Sequence, residues 1–224
     1  MSIMERLIVL DTETTGIEPS EGHRVIEIGC VEITNREITE SQYHQYVKPG
    51  ISVGESVRIH GITDSFLSDK PKFEEVALEF LEYIDGATLV IHNAPFDLGF
   101  LNNELALMNT EQRIEDNCSI IDSLELSKRQ RPGMMHNLDA LCRRFEIDAS
   151  SRTVHGALLD AQILAQVYLA MTGGQSTLFT EANINNDNNN GNDIIRVDSN
   201  RPEINIVKAT SKELKEHNNY FANS

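Results

Sequence analysis

Apolar segments follow a set order along this chain: strand-like runs come first, then strands and helices alternate. Residues 6–11 (RLIVLD) form a short apolar run that ends on an acid. Residues 25–33 (VIEIGCVEI) are β-branched and partly alternating, the pattern of a strand with one face in a core. A weaker strand is expected over 41–47 (SQYHQYV). Residues 73–84 (FEEVALEFLEYI) place apolar side chains at helical spacing with acids outward. Residues 88–92 (TLVIH) read as a buried strand, 96–108 as a helix, 119–124 as extended and 137–145 as a helix. The spacing in 157–171 (ALLDAQILAQVYLAM) predicts a long helix, closed by Gly173-Gly174. A meander followed by strand–helix alternation predicts an α/β domain with a mixed sheet, ending near residue 173.

Composition narrows the function classes. Of 224 residues, 40% are hydrophobic, enough for a core and too many for wholesale disorder. No apolar run approaches the ~18 residues of a membrane span. The start, MSIMER, lacks the marks of a secretory signal. Cys30, Cys118 and Cys142 lie far apart and read as reduced thiols of a cytoplasmic protein. With 35 acids against 19 bases, the formal net charge is −16. Such a field does not draw in nucleic acid, which argues against a free-standing DNA binder. An enzyme whose acids hold cations remains, as does a subunit to which others deliver substrate.

After Gly174 the composition changes. Residues 183–193 (NINNDNNNGND) hold seven asparagines in eleven residues and are expected to form a flexible linker. About 24 flexible residues would separate their ends by roughly 25–30 Å. Beyond them, 204–207 (INIV) reads as extended, and Ser211 as the N-cap of a short helix through Phe221. That piece is too small to fold alone and is expected to dock on a partner. The division is therefore 1–174 for the domain, 175–203 for a tether and 204–224 for a docking segment.

Three groups of polar residues fall at ends of apolar elements. Asp11 and Glu13 are two apart on one strand, so both carboxylates face one side. Like charges held that close repel, and a cation relieves them. Asp97, in HNAPFD, follows the strand at 88–92 and lies just inside a helix. His155 precedes the long helix and Asp160 occupies its early turns. Each group alone has an ordinary structural explanation, such as a helix first turn favoured by the dipole. Together, Asp11, Glu13, Asp97 and Asp160 offer hard oxygen ligands suited to Mg²⁺ or Mn²⁺. Two such ions about 4 Å apart can clamp the attacking and leaving oxygens of a phosphodiester. His155, with an ordinary pKa of ~6.5, is then the natural general base.

DTETTG at 11–16, HNAPFD at 92–97 and HGALLD at 155–160 resemble the three motifs of the DEDDh 3′→5′ exonucleases. Together with IEIG, HGITD, NLDALC and the run from His155 through Gln175, they resemble the epsilon proofreading subunits of bacterial DNA polymerase III over most of residues 7–175. The resemblance implies a ribonuclease H-like fold: a mixed five-stranded sheet flanked by helices, with a flexible C-terminal tail. It implies two divalent metals on Asp11, Glu13, Asp97 and Asp160, with His155 as proton acceptor. It also implies that Glu55 and His60 line the nucleotide pocket, together with Asp11, Glu13 and Asp160. His92 stands near the substrate or serves as a core histidine. Gln175-Ser-Thr-Leu178-Phe179 resembles the pentapeptide by which replication proteins bind the β sliding clamp. Implied partners are a DNA 3′ end, the polymerase α subunit at 204–224, the clamp and a small theta-like subunit. Two other readings stay open: a ribonuclease of the same superfamily, and a replisome adaptor without catalysis.

Overall fold

A computed structural model of the protein describes residues 6–150 and 155–173. The asparagine-rich tether at 175–203 and the segment at 204–224, with its expected helix from Ser211, lie outside the described residues. Five strands form one sheet: β1 (Arg6–Thr14), β2 (Val25–Thr34), β3 (Glu37–Tyr46), β4 (Thr88–Ile91) and β5 (Ser119–Asp122). Seven α-helices accompany them among the described residues: α1 (Val57–His60), α2 (Asp64–Leu67), α3 (Phe73–Ile84), α4 (Ala94–Leu107), α5 (Ser123–Gln130), α6 (Leu138–Phe145) and α7 (Ala157–Gly173). The strand order is β3-β2-β1-β4-β5. β2 pairs antiparallel with both β1 and β3, while β4 adds parallel to β1 and β5 parallel to β4. This is the expected mixed five-stranded sheet.

Alternation along β1 divides the core. Ile8 and Leu10 face α3 and α4, in a cluster with Phe73, Phe80, Phe100 and Leu101. Leu7 and Val9 face the other way, against Leu141 of α6 and Leu164 and Val167 of α7. Both faces of the sheet are thus covered, which is why β1, β2 and β4 are buried at nearly every position. Each large apolar side chain so buried contributes about 1.5–3 kcal/mol over leaving it exposed.

Several boundaries differ from the expected ones. β1 continues beyond the apolar run through Thr14, because Asp11, Thr12 and Glu13 pair with Gly29, Ile28 and Glu27 of β2. Backbone pairing is indifferent to the polarity of the side chains it carries. β3 starts at Glu37 and not at residue 41, since Asn35 and Arg36, at φ 52° and 64°, form a two-residue hairpin turn. Positive φ at both central residues matches the twist of the flanking strands. α5 had no counterpart in the hydropathy pattern. It forms because Asp122 accepts hydrogen bonds from the Leu124 and Glu125 N–H groups at 2.8 and 3.2 Å.

Candidate active site

Asp11 and Glu13 continue the row of Leu7 and Val9, so they emerge on the α7 side of the sheet. Gly29, paired with Asp11 across the ladder, brings α7 to them. A Cβ on Gly29 would lie 2.2 Å from the Leu158 nitrogen and 2.3–2.5 Å from the Ala157 carbonyl. The helix start rests directly on the bare backbone of β2. Asp160, one turn in, and His155, just before the helix, are therefore delivered over the two strand acids. The His155 N–H donates to the Ile59 carbonyl at 3.3 Å, tying this entry to α1.

These groups share one cleft of about 440 Å³, lined by Asp11, Glu13, His155 and Asp160 together with Thr12 and His92. Asn137, Leu138, Asp139 and Leu164 complete its wall. One ligand atom each from Glu13, His155 and Asp160 lie within 4.8 Å of one another, a spacing that a single cation can bridge. The His155 Nδ1 is 3.2 Å from an Asp160 carboxylate oxygen. A carboxylate accepts, so Nδ1 carries the proton and Nε2 holds the lone pair. Oxygen donors with one imidazole and no sulfur suit a hard divalent ion.

Asp97 is held from the opposite side of β1. Thr12 points toward α4, and Asp97 Oδ1 accepts from its N–H at 3.0 Å and its hydroxyl at 2.7 Å. Asp97 is 3% exposed and does not line the cleft. Burial raises its carboxyl from the ordinary 3.8 to about 7; the Thr12 hydrogen bonds act against this, and nearby Asp122 adds to it. The turn before α4 is fixed by Asp122, whose two oxygens accept from Asn93 N–H at 3.3 Å and Ala94 N–H at 3.1 Å. Asn93 itself has φ 73°, in the left-handed region that asparagine tolerates.

The remaining expected residues fall in different places. His60 is 4% exposed and is not among the cleft-lining residues. Its Nδ1 accepts from the Ile62 N–H at 3.0 Å, which puts the proton on Nε2. That Nε2 is buried and has no partner among the described residues. Burial lowers the His60 pKa, with Glu27 opposing and His155 reinforcing the shift. Glu55 is exposed, ion-paired with Arg58 at 2.8 Å, and outside the cleft lining. Gln175, Leu178 and Phe179 lie outside the described residues. His92 lines the cleft, its Nδ1 2.9 Å from the Ser123 hydroxyl. Sequence reasoning assigned no role to Thr12, Asn137 or Asp139. Thr12 was visible only as the residue between two acids, and Asn137 and Asp139 only as part of the NLDALC stretch.

A family model described as Exonuclease (RNase_T) matches residues 8–168. The DNA polymerase III subunit epsilon of Escherichia coli K12 is 48% identical over 219 residues, covering 95% of this chain and 90% of that protein. The chain belongs to the DNA polymerase III epsilon-subunit family. The Haemophilus influenzae epsilon subunit is 53% identical over 181 residues, 79% of this chain and 71% of the relative. That of Buchnera aphidicola is 44% identical over 227 residues, covering 99% and 97%. Among solved structures, the nuclease domain of 3′hExo, a DEDDh family member bound to rAMP, has a TM-score of 0.67 at 19% identity, over 78% of this chain and 94% of that one. Exonuclease X in complex with 5′ overhanging duplex DNA has a TM-score of 0.60 at 24% identity, over 75% and 92%. The fold is that of the DEDDh exonucleases, and this epsilon-family member is a proofreading 3′→5′ exonuclease. Enzymes of this kind use divalent metal ions. Among the described residues, no helix is long and apolar enough to cross a membrane.

Proposed function

We propose that the cleft hydrolyses the 3′-terminal phosphodiester of DNA and releases nucleoside 5′-monophosphates, with Asp11, Glu13, Asp97 and Asp160 holding two divalent cations, Mg²⁺ or Mn²⁺. The observation that carries this reading is the convergence of Glu13, His155 and Asp160 to within 4.8 Å around a common point. When bound, the cations would neutralise charge on the scissile phosphate and polarise the attacking water. Asp11 and Asp160 serve as principal ligands, and Glu13 also faces the incoming terminus. Asp97, kept behind Thr12, would support the second ion. His155 accepts the proton of the attacking water at Nε2, since Nδ1–H is already committed to Asp160. The buried Nε2–H of His60 is a donor awaiting an acceptor, and a nucleotide oxygen would supply one. Glu55 takes part only by leaving its pairing with Arg58.

The fidelity role has a physical basis. A mispaired terminus frays more readily than a paired one, and only a frayed end enters a narrow cleft. The relatives are named as polymerase III subunits. We infer for this chain the same assembly: the α subunit at 204–224, the β clamp through Gln175, Leu178 and Phe179, and a theta-like subunit on the catalytic domain, all in the cytoplasm. Tethering replaces the intrinsic DNA affinity that a net charge of −16 denies the chain.

The test uses the full chain with Mg²⁺ or Mn²⁺ and a primer bearing a mismatched 3′ end. Monophosphates should be released faster from the mismatched end than from a paired one, and Asp11→Ala should abolish release. Faster shortening of an RNA oligomer than of its DNA counterpart would overturn the substrate assignment in favour of a ribonuclease.

A further inference from the structure

Glu27 is a buried acid that the reaction described above does not use. It is 3% exposed and lies on β2, directly opposite Glu13 of β1. Residues directly opposite on paired strands point to the same face, and like charges there destabilise the pair. Glu27 therefore shares the α7 side of the sheet with Glu13, one step along the row from Gly29. A carboxylate stands here where a buried strand would ordinarily carry an apolar side chain. Taking a charge out of water is costly unless partners meet it.

One partner comes from the outer strand. The His44 Nε2, on β3, is 2.7 Å from Glu27 Oε1. A carboxylate accepts, so Nε2 carries the proton. Tyr46, paired with Glu27 across the β2–β3 ladder, stands beside it: burial raises the pKa of its hydroxyl, and the Glu27 charge adds to the rise. The His44 and Tyr46 rings meet edge to face, 4.8 Å between centroids. The other oxygen, Glu27 Oε2, lies 4.0 Å from where a Cβ on Gly156 would be. Gly156 is the one residue between His155 and the start of α7. The buried His60 ring feels both Glu27 and His155, which shift its pKa in opposite directions. Glu27, His60 and the turn carrying His155 are thus neighbours.

We propose that Glu27 is a positioning residue for the exonuclease reaction: held to β3 by His44, its carboxylate supports the His155–Gly156 turn and sets where the His155 imidazole stands beside Glu13 and Asp160. This rests on the exonuclease reading above. Asp160 has another anchor, because α7 docks on Gly29. His155 lies outside that helix, and its N–H is tied to the Ile59 carbonyl at 3.3 Å. Glu27 supplies a second support to the same turn. It is not among the residues that line the cleft, so its effect on the reaction passes through His155. A general base works only within hydrogen-bond reach of the proton it takes, so a small displacement of the ring costs turnover and leaves substrate binding alone.

The experiment follows hydrolysis of an aryl ester of thymidine 5′-monophosphate by the full chain with Mn²⁺, comparing E27A, E27Q and H44A, each made also in the H155A background. E27A should lose about tenfold or more in kcat, with KM within about twofold of wild type. E27Q keeps the length of the side chain and an acceptor for His44, and should restore kcat to within about threefold. H44A removes an exposed ring and leaves the core intact. It should show a smaller loss of kcat at unchanged KM, and it tests the support even if E27A fails to fold. In the H155A background, E27A and H44A should each change kcat by less than about twofold, because the group they act through is gone. Losses that multiply with that of H155A would overturn the proposal and leave Glu27 and His44 as a brace between β2 and β3. Wild-type kcat in a folded E27A or H44A would overturn it as well, and so would an E27Q as slow as E27A. If the wild-type chain cleaved neither the ester nor a DNA 3′ end, the exonuclease reading would fall and this proposal with it.

Discussion

Asp97 is a carboxylate in an environment that favours its neutral form. It is buried, accepts two hydrogen bonds from Thr12 on one oxygen, and is raised from 3.8 to about 7 chiefly by loss of solvation. Its folded-state pKa lies above the unfolded one, so the folded chain binds this proton more tightly. Stability from this group is therefore present at low pH and is lost as pH rises from about 4 to about 7. In chelator, the melting temperature of the wild-type chain should fall over that window more steeply than that of Asp97→Asn, and Mg²⁺ should offset the fall at the upper end. Identical pH profiles for the two proteins would disprove the assignment. His155 lives under different constraints, half-exposed and paired to Asp160. His155→Ala should slow turnover by roughly 10²–10⁴, as for a lost general base. A mutant with near-normal rate across pH would remove His155 from the reaction.

At the scale of elements, the site is set by how α7 and α4 meet the sheet. Gly29 is the contact that allows α7 to approach. Gly29→Ala adds a methyl group against helix backbone, which has no rotamer by which to yield. The variant should lose about 1–3 kcal/mol by thermal or urea unfolding, the usual cost of overpacking. It should lose exonuclease activity more than its stability loss explains, because His155 and Asp160 move with the helix. Full activity in a folded Gly29→Ala protein would show that α7 is not positioned by this contact. Asp122 does comparable work at the other edge, accepting from N–H groups at the starts of both α4 and α5. Elements held this way were the hardest to read from sequence. α5 has little hydrophobic patterning, and its start depends on one carboxylate shared with a helix 28 residues away in the chain. β3 is an edge strand mostly open to solvent, so its alternation is weak and its first half was missed.

On the scale of the whole molecule, a protein of charge −16 must obtain its substrate by means other than long-range attraction. If the tether supplies it, replacing Leu178 and Phe179 with Ala should leave hydrolysis of free oligomers unchanged while weakening binding to the β clamp, measured by surface plasmon resonance. Equal clamp affinity would show that the pair packs on its own domain instead. The family, the mixed α/β sheet and the exonuclease function were all legible before any coordinates, because each depends on local pattern: apolar periodicity, or motifs a few residues long in a required order. Which face of β1 each acid serves was partly legible as well, since strand alternation places Asp11 with Glu13. Folding alone settled the rest. Thr12, read only as a spacer, reaches across to hold Asp97, and NLDALC supplies a wall of the cleft. Such relations depend on distances between segments far apart in the chain. Those distances are set by packing across both faces of a sheet, a property of the assembled core that no local stretch encodes.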